Sequence, residues 1–403
     1  MRKISRKKVY PASVFVGMSG GVDSSVAVYL LKKQGYDVVG VFMKCWTESS
    51  SRINADFNAD RRRKEECGWE REAEDARRVA EKLNIPFYVW DFEEEYKKKV
   101  VDYMVNGYRK GITPNPDVMC NKEIKFGLFF EKAMEMGADF VSTGHYVRIQ
   151  HTTYNEQQTT KTKNKKLSVV GSKLLVAIDS AKDQSYFLWT LTQKQLAKCL
   201  FPIGDYLKPE VRKIAKKAGL PTAGKKDSQG ICFLGQVSMD DFLKDYIPEK
   251  KGDILLDGKK IGRHKGAHFY TIGQRRIGAN FQFPIPNFQK DRKPYYVAEK
   301  DVKKNIIKVV EGDKHPDLYK KEVKLTNVNF INPELRIRDK GLKLPVLARV
   351  RYRQPLVKAI LSCELSVVSC KLIFEQAQKF VAPGQSAVWY DSKGQMLGGG
   401  IIK

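Results

Sequence analysis

The stretch Ser13-Val14-Phe15-Val16-Gly17-Met18-Ser19-Gly20-Gly21-Val22-Asp23-Ser24-Ser25 decides how the first half of the chain folds. Ser13 to Met18 is an apolar run of strand length. Asp23 to Lys33 is amphipathic, with Val26, Val28, Leu30 and Leu31 apolar. Between them lie two glycines and a serine. The pattern is strand, tight turn, helix N-terminus. Glycine lets the backbone turn sharply and approach a ligand closely. The unpaired N–H groups at a helix start attract an anion, and the helix dipole assists. A phosphate is the expected guest; the alternative is a Gly-rich turn with no ligand. The stretch is not a Walker A loop, which carries Lys after its last Gly. Here Val22-Asp23 follows instead.

The chain has 403 residues, enough for two or three domains around a well-buried core. Lys and Arg total 73 against 46 Asp and Glu, a net charge of +27. The excess runs through the whole chain, which favours a broad phosphate-contacting surface over one basic tail. A generally Lys-rich, solvated surface is the other reading. No apolar run reaches membrane-spanning length, and no secretory h-region is present. Met1 to Lys8 is basic, but the first strand follows almost at once. A cytoplasmic location is expected, with the mitochondrial matrix as the alternative. The seven cysteines are scattered and form no CxxC. That excludes a disulfide framework and a zinc finger, and no protein-held metal is expected.

Strand and helix then alternate: a strand over Asp37 to Met43, a helix over Trp69 to Leu83, a strand over Pro86 to Trp90 and a helix over Phe92 to Tyr108. A parallel α/β sheet covered on both faces follows, with ligands beyond its strand C-termini. Thr47 to Gly68 is polar and basic, a long surface loop. Thr113-Pro114-Asn115-Pro116-Asp117 is a rigid turn, and Cys120 falls just ahead of a helix expected over Ile124 to Met136. A thiolate is stabilised there; a small core cysteine is the alternative. Another strand, Asp139 to Thr143, ends in Gly144-His145-Tyr146, where His145 is either a functional group or a structural donor. His151 to Lys166 reads as a hairpin tip.

Lys182 to Leu188 places polar donors beside two aromatics and leads into a helix expected through Leu200. It suits an unpaired base, or equally a helix cap with buried rings. Cys232 follows Lys225-Lys226 and Gly230, an accessible low-pKa thiol or a small buried one between Ile231 and Phe233. From Gly252 short strands and turns dominate, so one or two all-β modules are expected. Arg349 to Gln354 alternates basic residues, and on a strand these would share a face towards phosphate or towards solvent.

The SGGxDS signature between strand and helix resembles the PP-loop ATP pyrophosphatases, which cleave ATP to AMP and pyrophosphate. Six further motifs follow it in order: TPNPDVMCNKEIKFG (Thr113 to Gly127), STGHY (Ser142 to Tyr146), KDQSYFL (Lys182 to Leu188), KKDSQGICF (Lys225 to Phe233), YTIGQR (Tyr270 to Arg275) and RYRQP (Arg351 to Pro355). Together they resemble the tRNA-specific 2-thiouridylases, called MnmA in bacteria, over nearly the whole chain. The resemblance implies a Rossmann-like PP-loop catalytic domain over 1–235, a small mainly β, tRNA-contacting domain over 236–312 and a C-terminal β-barrel domain over 313–403.

It also implies roles. Gly17, Met18, Ser19, Gly20, Gly21, Val22, Asp23 and Ser24 would cradle ATP phosphates, with Met43 and Gly144 against the adenosine. Asn115, Pro116 and Asp117 would meet the target base, Asp117 as acid or base. His145, Lys182, Asp183, Gln184, Arg351, Tyr352 and Gln385 would contact tRNA. Cys232 would carry sulfur as a persulfide and Cys120 would be its partner nucleophile, the two ending as a disulfide unless hydrosulfide is freed first. ATP with Mg²⁺, the anticodon stem-loops of Lys-, Glu- and Gln-type tRNAs, and a cysteine desulfurase or sulfur-relay protein would be the partners, with no membrane. Three departures stand out. Gln229 occupies a position expected to be Thr in many members, the loops at 47–68 and 151–166 are long, and the stretch after Gly278 is expanded. The competing readings are an amide-forming PP-loop synthetase and a non-catalytic tRNA-binding protein.

Overall fold

The computed structural model describes residues 11–47, 68–155, 167–226, 238–275, 277, 280–281, 293–332, 341–364 and 370–403. The 48–67 loop, the tip at 156–166, most of the Gly278 insertion and the segment carrying Gln229 and Cys232 lie outside them.

Five parallel strands form the first sheet: β1 (Ser13–Met18), β2 (Asp37–Lys44), β3 (Phe87–Asp91), β4 (Phe140–Thr143) and β7 (Cys199–Leu200). Their order is β3-β2-β1-β4-β7. Both faces are covered, so the central strands are apolar throughout: Val14, Phe15, Val16 and Met18 of β1 are all buried. The strand order reverses between β1 and β4, the place where open α/β sheets bind ligands. Helix α1 (Val22–Lys33) buries Val26, Ala27, Leu30 and Leu31. Helix α2 (Gly68–Lys82) turns Ala73, Ala76, Val79 and Ala80 inward. Its outer face pairs Glu74 with Arg77 at 2.7 Å and Arg78 at 3.0 Å. The hairpin β5 (Arg148–Asn155) and β6 (Leu167–Leu175) stands beside the sheet.

The β-rich half consists of two modules. One is a five-stranded sheet of β8 (Gly252–Leu256), β9 (Lys259–His264), β10 (Asn280–Phe281), β11 (Tyr295–Asp301) and β12 (Ile306–Glu311). The other is a closed barrel of β13 (Tyr319–Phe330), β14 (Leu342–Arg349), β15 (Val357–Cys363), β16 (Cys370–Lys379), β17 (Ser386–Tyr390) and β18 (Met396–Ile402). Alternate residues point inward, as strand geometry demands: Ala359, Leu361 and Cys363 on β15 face Cys370, Leu372 and Phe374 on β16 in the barrel core.

Four local expectations are corrected. The helix carrying Cys120 begins at Pro116, not Ile124, and runs through 135 with a π-helical stretch over Cys120–Leu128. The segment after Leu188 is a four-residue helix (Gln193–Leu196) and the edge strand β7, with no long helix. Its capping box, Thr192 with Gln195, starts a single helical turn that the chain then leaves to complete the sheet. The arginines from 349 onward do not share a strand face, because β14 ends at Arg349 and the chain turns, with Arg353 at φ 65°. Finally, Cys363 and Cys370, opposite each other on β15 and β16, form a disulfide with Cα atoms 4.2 Å apart. Cysteine spacing alone had offered no pair.

Candidate active site

The loop after β1 lies at the switch point. Gly20 has φ +67°, and a Cβ there would be 2.2 Å from the Glu72 carbonyl oxygen of α2. Only glycine permits both the left-handed turn and that approach. Gly21 caps α1 without a side-chain hydrogen bond, which leaves the first-turn N–H groups for a ligand. The serines brace the turn. Ser19 N donates to Ser24 Oγ at 3.2 Å, and Ser25 Oγ donates to the Gly21 carbonyl at 2.7 Å. Thr222 Oγ1 backs Ser25 at 2.9 Å.

Met43 and Gly144 reach the same loop from the flanking strands. A Cβ on Gly17 would lie 2.8 Å from Met43 Cε, and one on Gly144 would lie 2.6 Å from Ser24 N. The residues expected to hold a nucleotide are therefore brought together, although Met43 and Gly144 are 101 apart by number (144 − 43).

Asp23 occupies the first turn of α1. Tyr146 Oη donates to it at 2.9 Å, and Lys208 Nζ reaches its two oxygens at 2.7 and 2.8 Å. Lys225 Nζ donates to the Gly20 carbonyl at 3.1 Å and to Asp75 at 2.8 Å. Burial raises the Glu72 carboxyl pKa above its ordinary value, and Lys225 partly opposes this. Sequence reasoning missed Lys208, Glu72 and Asp75, and it read Lys225 only as a neighbour of Cys232, not as a contact of this loop. Lys208 opens the helix Lys208–Lys217 and Asp75 belongs to α2, and neither position carries a local signature.

The Asn115 turn starts the 116–135 helix. Asn115 Oδ1 accepts from Val118 N at 3.2 Å, and Pro116 takes the first helical position. Cys120 follows one turn in and is 4 % exposed. The barrel clamps this turn: Gln385 Nε2 donates to the Thr113 and Pro114 carbonyls at 2.9 and 3.1 Å, and Thr113 N donates to the Pro383 carbonyl at 2.7 Å. The five-stranded module adds Thr271, whose hydroxyl is 3.3 Å from that of Thr113.

His145 is 7 % exposed and lies between Phe126 and Phe201, with Nδ1 2.7 Å from Thr143 Oγ1. Burial, with Lys125 adding to it, holds its pKa well below the ordinary value, so the ring is neutral. Asp183 is also interior. It accepts from Ala177 N, Ser185 N and Ser185 Oγ, and Arg349 Nη2 lies 2.5 Å away. Gln184 Oε1 accepts from Tyr146 N at 2.9 Å, linking the Lys182 segment to the strand end beside Asp23. Tyr352 packs on Phe187 with centroids 4.5 Å apart, and Arg351 Nη2 donates to the Ile272 carbonyl at 3.4 Å. Cys232 lies outside the described residues.

A Gly-rich anion loop at the switch point of a parallel sheet, with an Asp where a Walker loop has Lys, defines a PP-loop enzyme of the α/β class. Three sequence profiles match in register: a tRNA methyl transferase HUP domain over 12–236, a tRNA methyl transferase PRC-barrel domain over 240–311 and an aminomethyltransferase β-barrel domain over 320–402. The tRNA-specific 2-thiouridylase MnmA of Christiangramia forsetii is 41 % identical, covering 96 % of this chain and 99 % of its own. Those of Lactiplantibacillus plantarum and Staphylococcus aureus RF122 are each 42 % identical, covering 96 % of this chain and 94 % of their own. The chain belongs to the tRNA-specific 2-thiouridylase family.

Proposed function

We propose that this protein exchanges the 2-oxygen of the wobble uridine of tRNA for sulfur at the expense of ATP. The observation that carries the reading is the loop of Ser19 to Ser25, which Met43 and Gly144 join at one sheet edge. A uracil carbonyl oxygen is a poor leaving group. Attack of O2 on the α-phosphorus of ATP releases pyrophosphate and turns the oxygen into part of a departing AMP. The N–H groups at the start of α1 stabilise charge on the pyrophosphate. The outer sulfur of a Cys232 persulfide adds to C2. The Cys120 thiolate takes the inner sulfur, AMP leaves with the old oxygen, and a Cys120–Cys232 disulfide remains for an external thiol to reduce. Asp117, three residues before Cys120, handles the proton at the ring.

Mg²⁺ suits this site as a companion of ATP. Among the described residues no group of three or more His, Cys, Asp or Glu forms a protein-only cage. Mg²⁺ takes most of its ligands from water and phosphate, with one or two carboxylates, and Asp23 stands beside the loop. It would neutralise phosphate charge there. His145, Lys182 to Gln184, Arg351, Tyr352 and Gln385 act in tRNA recognition, the buried members by shaping the surface around them. A cysteine desulfurase or a relay protein supplies the persulfide. Among the described residues no helix is long and apolar enough to cross a membrane.

The test is reconstitution with ATP, Mg²⁺, a cysteine desulfurase and unmodified tRNA. The nucleoside mass separates oxygen-for-sulfur exchange from methyl addition, the chemistry named in two of the profile descriptions. Thiolation by the wild type, and none by Cys232→Ser, is expected. Normal thiolation by that variant would sink the persulfide role.

A further inference from the structure

The loop lacks the lysine with which a Walker loop grips phosphate, yet the fold brings one to the same place. Lys208 is the first residue of a helix whose sequence number is 185 beyond Asp23, and its Nζ bridges both Asp23 oxygens at 2.7 and 2.8 Å. Its side chain is 11 % exposed, deep for a lysine. The ammonium also lies 5.7 Å from the Tyr146 ring centroid, and the backbone N of Lys208 donates to Asp179 at 2.9 Å, which anchors the main chain from which the side chain swings.

We infer that Lys208 is the phosphate-gripping cation of this loop, parked on Asp23 until a nucleotide arrives. Asp23 is in the first turn of α1, next to the N–H groups that receive the anion. A polyphosphate entering there meets the Asp23 carboxylate at close range, and that contact is repulsive unless a cation intervenes. Lys208 has one flexible stem and three donors, so it can keep one hydrogen bond to Asp23 while turning others to phosphate oxygen. Lys225 divides its ammonium between the Gly20 carbonyl and Asp75 and makes no contact with Asp23, which leaves Lys208 as the cation on that carboxylate. The inference rests on the ATP-dependent reading above and adds the residue that distinguishes a triphosphate from a monophosphate.

Calorimetric titration with ATP and with AMP, both without divalent cation, tests it. Lys208→Met leaves Asp23 uncompensated, so the double variant Asp23→Asn/Lys208→Met is included to remove both charges together. Lys213→Met, exposed on the same helix, is the control and should match the wild type. Both Lys208 variants should bind ATP about tenfold or more weakly, the scale of one charge-assisted contact, and AMP within about twofold of wild type. A double variant that binds ATP as tightly as wild type would show Lys208 to be only a counter-ion for Asp23 and overturn the inference. Equal loss of ATP and AMP would overturn it as well. A wild type that binds neither nucleotide, with Mg²⁺ added as well as without it, would refute the ATP reading itself.

Discussion

Gly20 is the residue on which the phosphate loop depends most directly. Its φ of +67° is strained for any L side chain, and the atom a Cβ would strike is the Glu72 backbone oxygen, which cannot swing aside. Gly20→Ala should therefore push α2 off the loop and weaken ATP binding at least about tenfold, while far-ultraviolet circular dichroism stays close to wild type. Undiminished affinity in a calorimetric titration would show that the loop does not need this geometry. Gly20 and its neighbours were legible because short-range rules govern them: two glycines after an apolar run and before a periodic one leave few alternatives. The burial of His145 was not legible. Its partners Phe126 and Phe201 come from distant segments, and a lone histidine in a sequence does not reveal which rings enclose it.

At the scale of elements, the 116–135 helix shows both the reach and the limit of pattern reading. The Pro-Asn-Pro turn was recognisable, but the start of the helix was placed late, since the stretch over Cys120–Leu128 is π-helical and departs from 3.6-residue periodicity. The true start is the Asn115 cap. Asn115→Ala removes an acceptor for Val118 N and should cost about 1 kcal/mol of stability. Thiolation should fall further than that loss explains if Cys120 must be held in position. A thermal melt read beside a nucleoside mass assay separates the two effects; a variant with the lower melting temperature but full thiolation would remove the positioning role.

Strand β11 carries a partly buried cation, Lys300. Burial pushes the Lys300 ammonium pKa down from 10.5 to about 8, while its Nζ donates to the Tyr270 carbonyl at 2.6 Å. The folded pKa is below the unfolded one, so the native state binds fewer protons between those values. Stability from this group therefore rises with pH across about 8 to 10.5, and the full penalty applies below 8. The span is on the order of 3 kcal/mol. Lys300→Met should flatten that part of the urea-denaturation profile relative to wild type. Identical slopes in the two proteins would show that Lys300 keeps its ordinary pKa.

Across the whole molecule, the layer order of an α/β sheet followed by β modules was readable from the change of periodicity near Gly252. What joins the modules was not, because joints are made by single side chains from remote segments. The Arg349 region illustrates this. Read as a strip it suggested phosphate contact; folded, Arg349 leaves β14 inward and meets Asp183 from the segment beside the α/β sheet. Tyr390 Oη lies 3.0 Å from the same guanidinium nitrogen and 2.9 Å from Ser185 Oγ, so barrel and sheet domain share one buried polar network. Arg349 and Asp183 side chains are 7 % and 4 % exposed. Gross attraction in such a pair is offset by desolvation, so its presence adds little net stability, but removing one partner leaves a buried charge with nothing opposite it. Arg349→Met should destabilise the chain by about 3–5 kcal/mol, and the double variant Asp183→Asn/Arg349→Met should recover much of that loss. Limited proteolysis adds the location of the damage. If the pair is the joint, the single variant releases the 319–402 barrel early, and the thiolation assay fails with it, because Gln385 of that barrel holds the Thr113-Pro114 turn ahead of Cys120. Digestion of the single variant at the wild-type rate would place the joint elsewhere, in the Tyr186 and Trp189 contacts to Ser386.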